Sequence, residues 1–278
     1  MESEGRVWLI TGAGRGFGKT FARHAVEAGD RVVGTARAPE ALRDLEQLAP
    51  GRVLGLTLDV TDREAAFDVA ARAVDRFGRI DVAVNNAGYS LQGALEEVSE
   101  EEVRAEFETN FFGVLWVSQA VIPVMRRQGR GRIINISSAA GGTGLPMAGM
   151  YCASKWALEG ASEALAAELA PFGIAVTIVQ PSGFRTGFAS SSHLRTGPIR
   201  EYEETFAGIL ERISPSIAGT EAGDPELAAR AILELADNPD PPLRLLLGNN
   251  AFDMLTAAHR RRLEEALSQE STARAVDG

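Results

Sequence analysis

The chain has 278 residues, of which 45% are hydrophobic and 24% are charged, an ordinary composition for a globular protein. It excludes collagen-like, disordered and disulfide-rich classes, and the single cysteine, Cys152, permits no internal disulfide. The net charge of −10 disfavours nucleic acid and anionic membranes as partners, since both attract clustered positive charge. No stretch approaches the roughly 20 apolar residues that span a bilayer. The acidic residues 1–5 lack signal-peptide character, so we expect a cytoplasmic protein.

Short apolar runs alternate with helical patterns along the chain. The runs are continuous rather than mixed with polar residues, which is typical of strands buried on both faces of a parallel sheet. Strands are predicted at 7–11, 31–35, 53–60, 80–84, 132–137, 175–180 and 243–247, and helices at 17–28, 62–77, 99–128, 151–170, from 225 onward and at 250–267. These elements predict one α/β domain over 1–278, a doubly wound Rossmann fold with a parallel sheet of about seven strands and helices on both faces.

A glycine-rich segment, TGAGRGFG at 11–18, lies between the first strand and the first helix. Its glycines permit a tight turn and let a phosphate approach the backbone, while the helix N-terminus offers free N–H groups. Residues 13–20 also resemble a P-loop with alanine in the first glycine position, in which Lys19 would bind phosphate and Thr20 magnesium. The surplus of glycines and the lack of a strand ending in a Walker-B aspartate favour the dinucleotide site, with Lys19 solvated and no metal bound.

The end of the second strand predicts which dinucleotide binds. NAD sites usually carry an acidic residue here that binds the ribose 2′-hydroxyl, but this chain has Ala36 and Arg37. The missing carboxylate removes a repulsion, and Arg15 and Arg37 each offer charge-assisted hydrogen bonds to a 2′-phosphate. The sequence therefore favours NADP(H) over NAD(H).

Polar residues follow two further strands and mark the next helix. The segment 85–88, NNAG, comes after the strand at 80–84, where ligands bind in open α/β sheets. Ser138 follows the strand at 132–137, and Tyr151 and Lys155 lie four residues apart on one face of the next helix. Lys155 is one of only two lysines in the chain. A nearby ammonium lowers the pKa of a phenol by about 1–3 units, and an oxidised nicotinamide ring adds a second positive charge, so this set predicts acid–base chemistry at Tyr151.

The residues after the sixth strand interrupt the alternation of strands and helices. A segment this long within one domain is typical of a lid, and we expect residues 184–222 to form a substrate-binding loop. The residues expected to line the pocket are apolar, which predicts a hydrophobic carbonyl or alcohol substrate. They are Phe184, Phe188, Tyr202, Phe206 and Ile209, with Tyr89 and Leu145 opposite. An extra C-terminal helix and a frayed tail are expected within 250–278.

These motifs together resemble the short-chain dehydrogenase/reductase family, in its shorter single-domain branch. The similarity rests on TGAGRGFG at 11–18, Asp59-Val60, NNAG at 85–88, Asn110 with Gly113, IINISS at 133–138 and YCASK at 151–155. They cover the first two-thirds of the chain in the family's order. The chain departs from the family pattern at Pro181-Ser182-Gly183, where the glycine lies one position later than usual, and in lacking a glycine-rich C-terminal ending.

The resemblance implies a role for each matched residue. Tyr151 would be the acid/base, Lys155 would lower its pKa and hold the nicotinamide ribose, Ser138 would orient the carbonyl, and Asn110 would anchor a water. The implied cofactor contacts are Gly12, Arg15, Gly16, Phe17, Gly18, Arg37, Asp59, Val60, Asn86, Ala87, Gly88, Tyr151, Lys155, Phe184 and Thr186.

The combined prediction is an NADP(H)-dependent oxidoreductase that interconverts a ketone or aldehyde and an alcohol by hydride transfer. A homo-oligomer, either dimer or tetramer, is expected. The alternative is a catalytically silent NADP(H)-binding sensor or scaffold. The three residues Ser138, Tyr151 and Lys155 argue against it, since a silent binder needs none of them.

Overall fold

A seven-stranded parallel sheet forms the centre of the molecule, with helices on both faces. This computed structural model describes residues 5–188, 192–195, 197–213 and 221–276. The sheet has the order β3-β2-β1-β4-β6-β7-β9. The strands are β1 (Val7–Ile10), β2 (Arg31–Ala36), β3 (Val53–Thr57), β4 (Val82–Asn85), β5 (Ser90–Gln92), β6 (Gly131–Ile136), β7 (Ile174–Pro181), β8 (His193–Arg195) and β9 (Arg244–Leu247). The predicted fold class is confirmed.

Most of the helices lie between strands of the sheet in the chain, and the last two follow β9. They are α1 (Gly16–Glu27), α2 (Arg43–Leu48), α3 (Arg63–Phe77), α4 (Glu100–Phe107), α5 (Gly113–Gln128), α6 (Gly149–Leu169), α7 (Arg200–Ile213), α8 (Pro225–Asp237), α9 (Asn249–Ser268) and α10 (Glu270–Arg274). In the described part of the chain, no helix has the length and apolarity needed to cross a membrane.

Strand β1 shows why the apolar runs are continuous. Val7 and Leu9 pack into the core on one face of the sheet, while Trp8 and Ile10 pack into the core on the other. All four side chains are fully buried. Because both faces are covered by helices, neither set of alternating positions has to be polar.

The sheet order places the site. The chain runs outward from β1 to β3, then returns to β4 beside β1 and continues in the opposite direction. A crevice opens at the carboxyl ends of β1 and β4, where the connections diverge, and ligands bind in such crevices. The glycine-rich segment follows β1, and residues 85–88 end and follow β4, so both lie at this crevice.

The structure corrects several predicted elements. The helix predicted at 99–128 is interrupted by a π-helical segment, Glu108–Phe112, between α4 and α5. The strand predicted at 53–60 ends at Thr57. Beyond the helix predicted at 250–267, a short helix continues to Arg274; residues 277–278 lie outside the described residues, and the fraying of the tail stays a prediction.

The segment 184–222 contains regular structure. It holds β8 and α7, and β8 pairs in parallel with β5 in a second, two-stranded sheet that the sequence did not predict. Residues 189–191, 196 and 214–220 of the predicted lid lie outside the described residues.

Candidate active site

The glycine-rich segment folds into a tight turn before α1. Gly12 and Gly16 have φ angles of 66° and 53°, a left-handed conformation that glycine adopts without strain. Gly18 packs directly on this turn, because a Cβ atom there would lie 2.3 Å from the Gly12 carbonyl oxygen. Within the described residues, no side chain caps the start of α1, and its first turn contains no acidic residue. The N-terminus of α1 therefore offers its N–H groups to an anion.

Asn86 and Thr11 hold this turn against β4. The Asn86 Nδ2 group donates to the Thr11 carbonyl oxygen at 2.8 Å, and the Thr11 Oγ1 atom accepts from the Asn86 and Ala87 backbone N–H groups at 2.9 and 3.1 Å. Through these bonds the Asn86 side chain stabilises the glycine turn. Thr11 is a residue of the site that the sequence prediction did not name.

A cavity of about 1020 Å³ extends from the glycine turn to the face of α6. Most of the predicted site residues line it. They are Gly12, Arg15, Gly16, Phe17, Arg37, Asp59, Val60, Asn86, Ala87, Gly88, Ser138, Tyr151, Lys155, Phe184 and Thr186. Two predicted residues do not line it, Gly18 and Asn110, both of which are buried behind its wall.

Tyr151 and Ser138 meet at one end of the cavity. Their hydroxyl groups are hydrogen-bonded to each other, and the Ser138 Oγ atom also accepts from the Ala140 N–H at 3.1 Å. Burial raises the pKa of Tyr151 to about 12, which the hydrogen bond from Ser138 only partly opposes. The phenol is therefore neutral at pH 7. The lowering of its pKa by Lys155 together with an oxidised nicotinamide ring stays a prediction.

Lys155 is buried beside this pair. Its Nζ atom donates to the Ile136 carbonyl oxygen at 2.9 Å and lies 5.9 Å from the centre of the Tyr151 ring. Burial lowers the pKa of Lys155 to about 8, while the charges of Glu106 and Glu159 oppose that decrease. The amine is thus mostly protonated at pH 7.

Asn110 braces the neighbouring chain segment. It lies in the π-helical segment, where its Oδ1 atom accepts from the Tyr89 N–H at 3.0 Å and its Nδ2 atom donates to the Tyr89 carbonyl and to Ser154 Oγ at 2.8 and 3.1 Å. Gly88 separates Asn110 from Lys155, since a Cβ at Gly88 would lie 2.9 Å from the Asn110 Oδ1 atom and 3.5 Å from the Lys155 Nζ atom. The geometry supports a positioning role, and the water expected on Asn110 stays a prediction.

Two buried carboxylates near Lys155 were missed by sequence reasoning. Glu159 accepts from the Ser137 Oγ and Gln180 Nε2 atoms at 2.8 Å each and from Arg244 Nε at 3.0 Å. It lies four residues after Lys155, so the helical spacing carried a signal for it. Glu106 is fully buried, and nothing in the local sequence distinguishes it from the exposed acids around it.

Fewer of the expected apolar side chains line the cavity than the sequence predicted. Phe184, Phe188 and Tyr89 line the cavity together with Leu194. Phe184 also packs into the core, with its ring centre 5.0 Å from that of Phe17. Four residues expected at the pocket are not part of its lining, namely Leu145, Tyr202, Phe206 and Ile209.

Lys19 does not reach this cavity. Its Nζ atom forms an ion pair with Asp44 at 2.8 Å, and the Thr20 hydroxyl donates to the Gly16 carbonyl oxygen at 3.1 Å. Neither contact is that of a P-loop, whose lysine and threonine bind phosphate and magnesium. The geometry therefore favours the dinucleotide interpretation of the glycine turn.

Known proteins share this sequence and architecture. A 3-ketodihydrosphingosine reductase of Bacteroides thetaiotaomicron is 41% identical over 245 residues, covering 87% of this chain and 88% of that protein. The crystal structure of a short-chain dehydrogenase from Streptomyces avermitilis superposes with a TM-score of 0.91 at 42% identity, covering 98% of this chain and all of that one.

Two further solved structures contain nicotinamide dinucleotides. A short-chain dehydrogenase/reductase from Burkholderia phymatum in complex with NAD matches with a TM-score of 0.81 at 26% identity and covers 96% of each chain. An alcohol dehydrogenase from the archaeon Thermococcus sibiricus, complexed with 5-hydroxy-NADP, matches with a TM-score of 0.72 at 27% identity and covers 88% of this chain and 96% of its own. One of these neighbours is thus complexed with NAD and the other with an NADP derivative.

The family model for short chain dehydrogenases matches residues 6–196, which include the glycine turn, Ser138, Tyr151 and Lys155. With that match and the relatives above, the chain belongs to the short-chain dehydrogenase family and is an oxidoreductase of that family.

Proposed function

We propose that the protein is an NADP(H)-dependent oxidoreductase that interconverts an apolar ketone or aldehyde and the corresponding alcohol. The observation that carries this proposal is that the hydrogen-bonded hydroxyl groups of Tyr151 and Ser138 line the same cavity as the glycine turn. One cavity thus contains both a site for a dinucleotide phosphate and a proton donor.

The residues of the cavity fit a nicotinamide dinucleotide. The turn at Gly12–Gly16 and the uncapped N-terminus of α1 suit the pyrophosphate, because backbone N–H groups there bind anions. Asp59 and Val60 are placed along the wall for the adenine, and Lys155 lies beside Tyr151 for the ribose of the nicotinamide. When bound, the reduced cofactor supplies a hydride.

Ser138 and Tyr151 have different roles in the proton transfer. Ser138 and Tyr151 both offer hydroxyl groups to the oxygen of a carbonyl substrate, which fixes its orientation. With a pKa of about 12, Tyr151 carries its proton throughout the neutral range and gives it to the oxygen as an alkoxide develops. The reverse reaction, alcohol oxidation, requires the phenolate as the base that accepts the proton of the alcohol.

The apolar side chains of the cavity support the substrate class. Phe184, Phe188, Tyr89 and Leu194 offer apolar surface in its lining, which favours a hydrophobic chain or ring over a charged substrate. The similarity to a protein named 3-ketodihydrosphingosine reductase supports a ketone as the substrate. Assembly as a dimer or tetramer and a cytoplasmic location stay predictions.

The proposal is tested by following the absorbance of reduced nicotinamide with purified protein, using NADPH and NADH against ketones of increasing apolar length. We expect NADPH to be consumed with long-chain ketones and much more slowly with short or charged ones. Tight NADPH binding without turnover of any carbonyl compound would instead favour the silent sensor or scaffold.

Replacing Arg37 with alanine tests the preference for NADPH. Arg37 lies at the cavity wall after β2, where the charge of a 2′-phosphate would need a partner. Losing one charge-assisted hydrogen bond should raise the KM for NADPH by about 10- to 100-fold and leave the KM for NADH nearly unchanged.

The matched control is Arg43→Ala, which removes an exposed arginine from α2 outside the cavity lining. It should leave both KM values near those of the wild type. Equal increases for NADPH and NADH in the Arg37 variant would show that Arg37 does not bind the 2′-phosphate.

A further inference from the structure

Glu106 is a buried acid that the chemistry described so far does not use. Its side chain is fully buried near the end of α4. The Oε1 atom accepts from the Leu91 backbone N–H at 2.7 Å, which ties α4 to strand β5. The Oε2 atom is buried and has no hydrogen-bond partner among the described residues. A buried carboxylate oxygen without a hydrogen-bond partner reduces the stability of the folded protein, so packing alone does not explain an acid at this position.

The groups that face Glu106 belong to the active site. Helix α6 packs against α4 and supplies Tyr151, Cys152 and Lys155, each of which interacts electrostatically with Glu106. Tyr89, just before β5, does so as well. Two other acids lie close to it along the chain. Glu102 is on α4 itself, and Glu108 is in the π-helical segment, where it lines the cavity. Lys155 is the cation among these groups, and the charge of Glu159 also acts on it.

We propose that Glu106 is a positioning residue whose charge sets how readily the Tyr151–Lys155 pair releases a proton. It acts through its position against α6, without lining the cavity or touching the substrate. This inference rests on the proposed function, because it concerns the same proton transfer.

The charge state of Glu106 gives the direction of the effect. Burial raises the pKa of Glu106 to about 7, so the acid is neutral below that pH and ionised above it. The ionised form raises the pKa of Tyr151 and that of Lys155, because a negative charge favours the protonated form of each neighbour. Ionisation of Glu106 therefore keeps the proton on Tyr151 and delays formation of the phenolate that alcohol oxidation requires.

The variant Glu106→Gln tests this, since glutamine keeps an oxygen for the Leu91 N–H and removes the charge. The wild-type pH profile of kcat for alcohol oxidation should show an inflection near pH 7, where Glu106 ionises. The variant should lose this inflection, and the basic limb of its profile should lie at lower pH. The expected shift is on the order of one pH unit, the size of one charge acting over ~10 Å at an effective dielectric constant of about 20. Glu106→Asp keeps the carboxyl group and should keep the inflection.

The matched control is Glu101→Gln, the same change on the exposed face of α4. Its profile should coincide with that of the wild type. A role in packing alone would lower stability or kcat in the Glu106 variant equally at every pH, so an unshifted profile overturns the proposal.

A second measurement does not depend on a folded variant or on turnover. Carbon-13 NMR of wild-type protein labelled at its glutamate carboxyl groups should show one resonance that titrates near pH 7, whereas ordinary glutamates titrate near 4.3. The absence of such a resonance also overturns the inference. If the wild type turns over no carbonyl compound, the proposed function fails, while the NMR titration still decides whether Glu106 is neutral at low pH.

Discussion

Replacing Tyr151 with phenylalanine should remove nearly all turnover and leave NADPH binding intact. The substitution deletes only the hydroxyl group that is hydrogen-bonded to Ser138, while the ring keeps its place beside Lys155. Loss of a positioned proton donor should lower kcat by about 10²- to 10⁴-fold. Steady-state kinetics measures the loss, and titration of the bound nicotinamide by fluorescence or calorimetry measures the Kd.

Tyr202→Phe is the matched control for this experiment. Tyr202 lies on α7, where its ring stacks on that of Phe206 at 6.2 Å and its hydroxyl is hydrogen-bonded to Glu96 rather than facing the cavity. Its loss should leave kcat close to the wild-type value. If the Tyr151 variant turned over at the wild-type rate, the hydroxyl group would have no part in proton transfer.

A second large effect is expected from Gly18→Ala. A Cβ atom at this position would lie 2.3 Å from the Gly12 carbonyl oxygen and 2.6 Å from the Asn86 Nδ2 atom. Both are held by the hydrogen bonds that fix the glycine turn, so the backbone must move to admit a methyl group. We expect a loss of about 3 kcal/mol in the free energy of unfolding, which lowers Tm by roughly 6–12 °C. The displaced turn should also raise the KM for NADPH.

Gly160→Ala provides the control at another helical glycine. A Cβ at Gly160, on the exposed face of α6, would meet no atom of the described structure within 4 Å. Alanine in an open helical position should stabilise the protein by about 0.5–1 kcal/mol. Similar Tm values for the two variants would contradict the close packing of Gly18 on the turn.

The sheet and the residues at its carboxyl edge were predictable because their signals are local. Each strand is a short apolar run, and a parallel sheet brings the ends of its strands to one edge. Residues that follow different strands, such as Gly12, Asn86 and Ser138, therefore had to meet at the crevice. The register of Tyr151 and Lys155 on one helix likewise follows from a spacing of four residues.

The interrupted helix was not predictable, because its cause lies far along the chain. Residues 99–128 carry a continuous helical pattern, and the π-helical segment at 108–112 is held by bonds from Asn110 to Tyr89 and Ser154. These partners lie 21 and 44 residues away. The pairing of β5 with β8 has the same character, since two strands of three residues each give almost no local signal.

The effect of burial on the pKa of Tyr151 was not predictable for a related reason. The spacing of four residues reveals the ammonium of Lys155, and the predicted cofactor adds the charge of an oxidised nicotinamide ring. Burial raises the pKa of the phenol, and it depends on how distant parts of the chain pack around that residue. The sequence also did not reveal which face of α7 points toward the cavity. Tyr202 and Phe206 were therefore assigned to a pocket that they do not line.

The most direct test of the proposed carbonyl reduction uses NADPH deuterated at both positions of the nicotinamide C4 atom, with a long-chain ketone at neutral pH. Wild-type protein should give an alcohol that carries one deuterium on its carbinol carbon, and the Tyr151→Phe variant should give almost none under the same conditions. A wild-type protein that binds NADPH but yields no deuterated alcohol from any ketone or aldehyde would contradict the proposal.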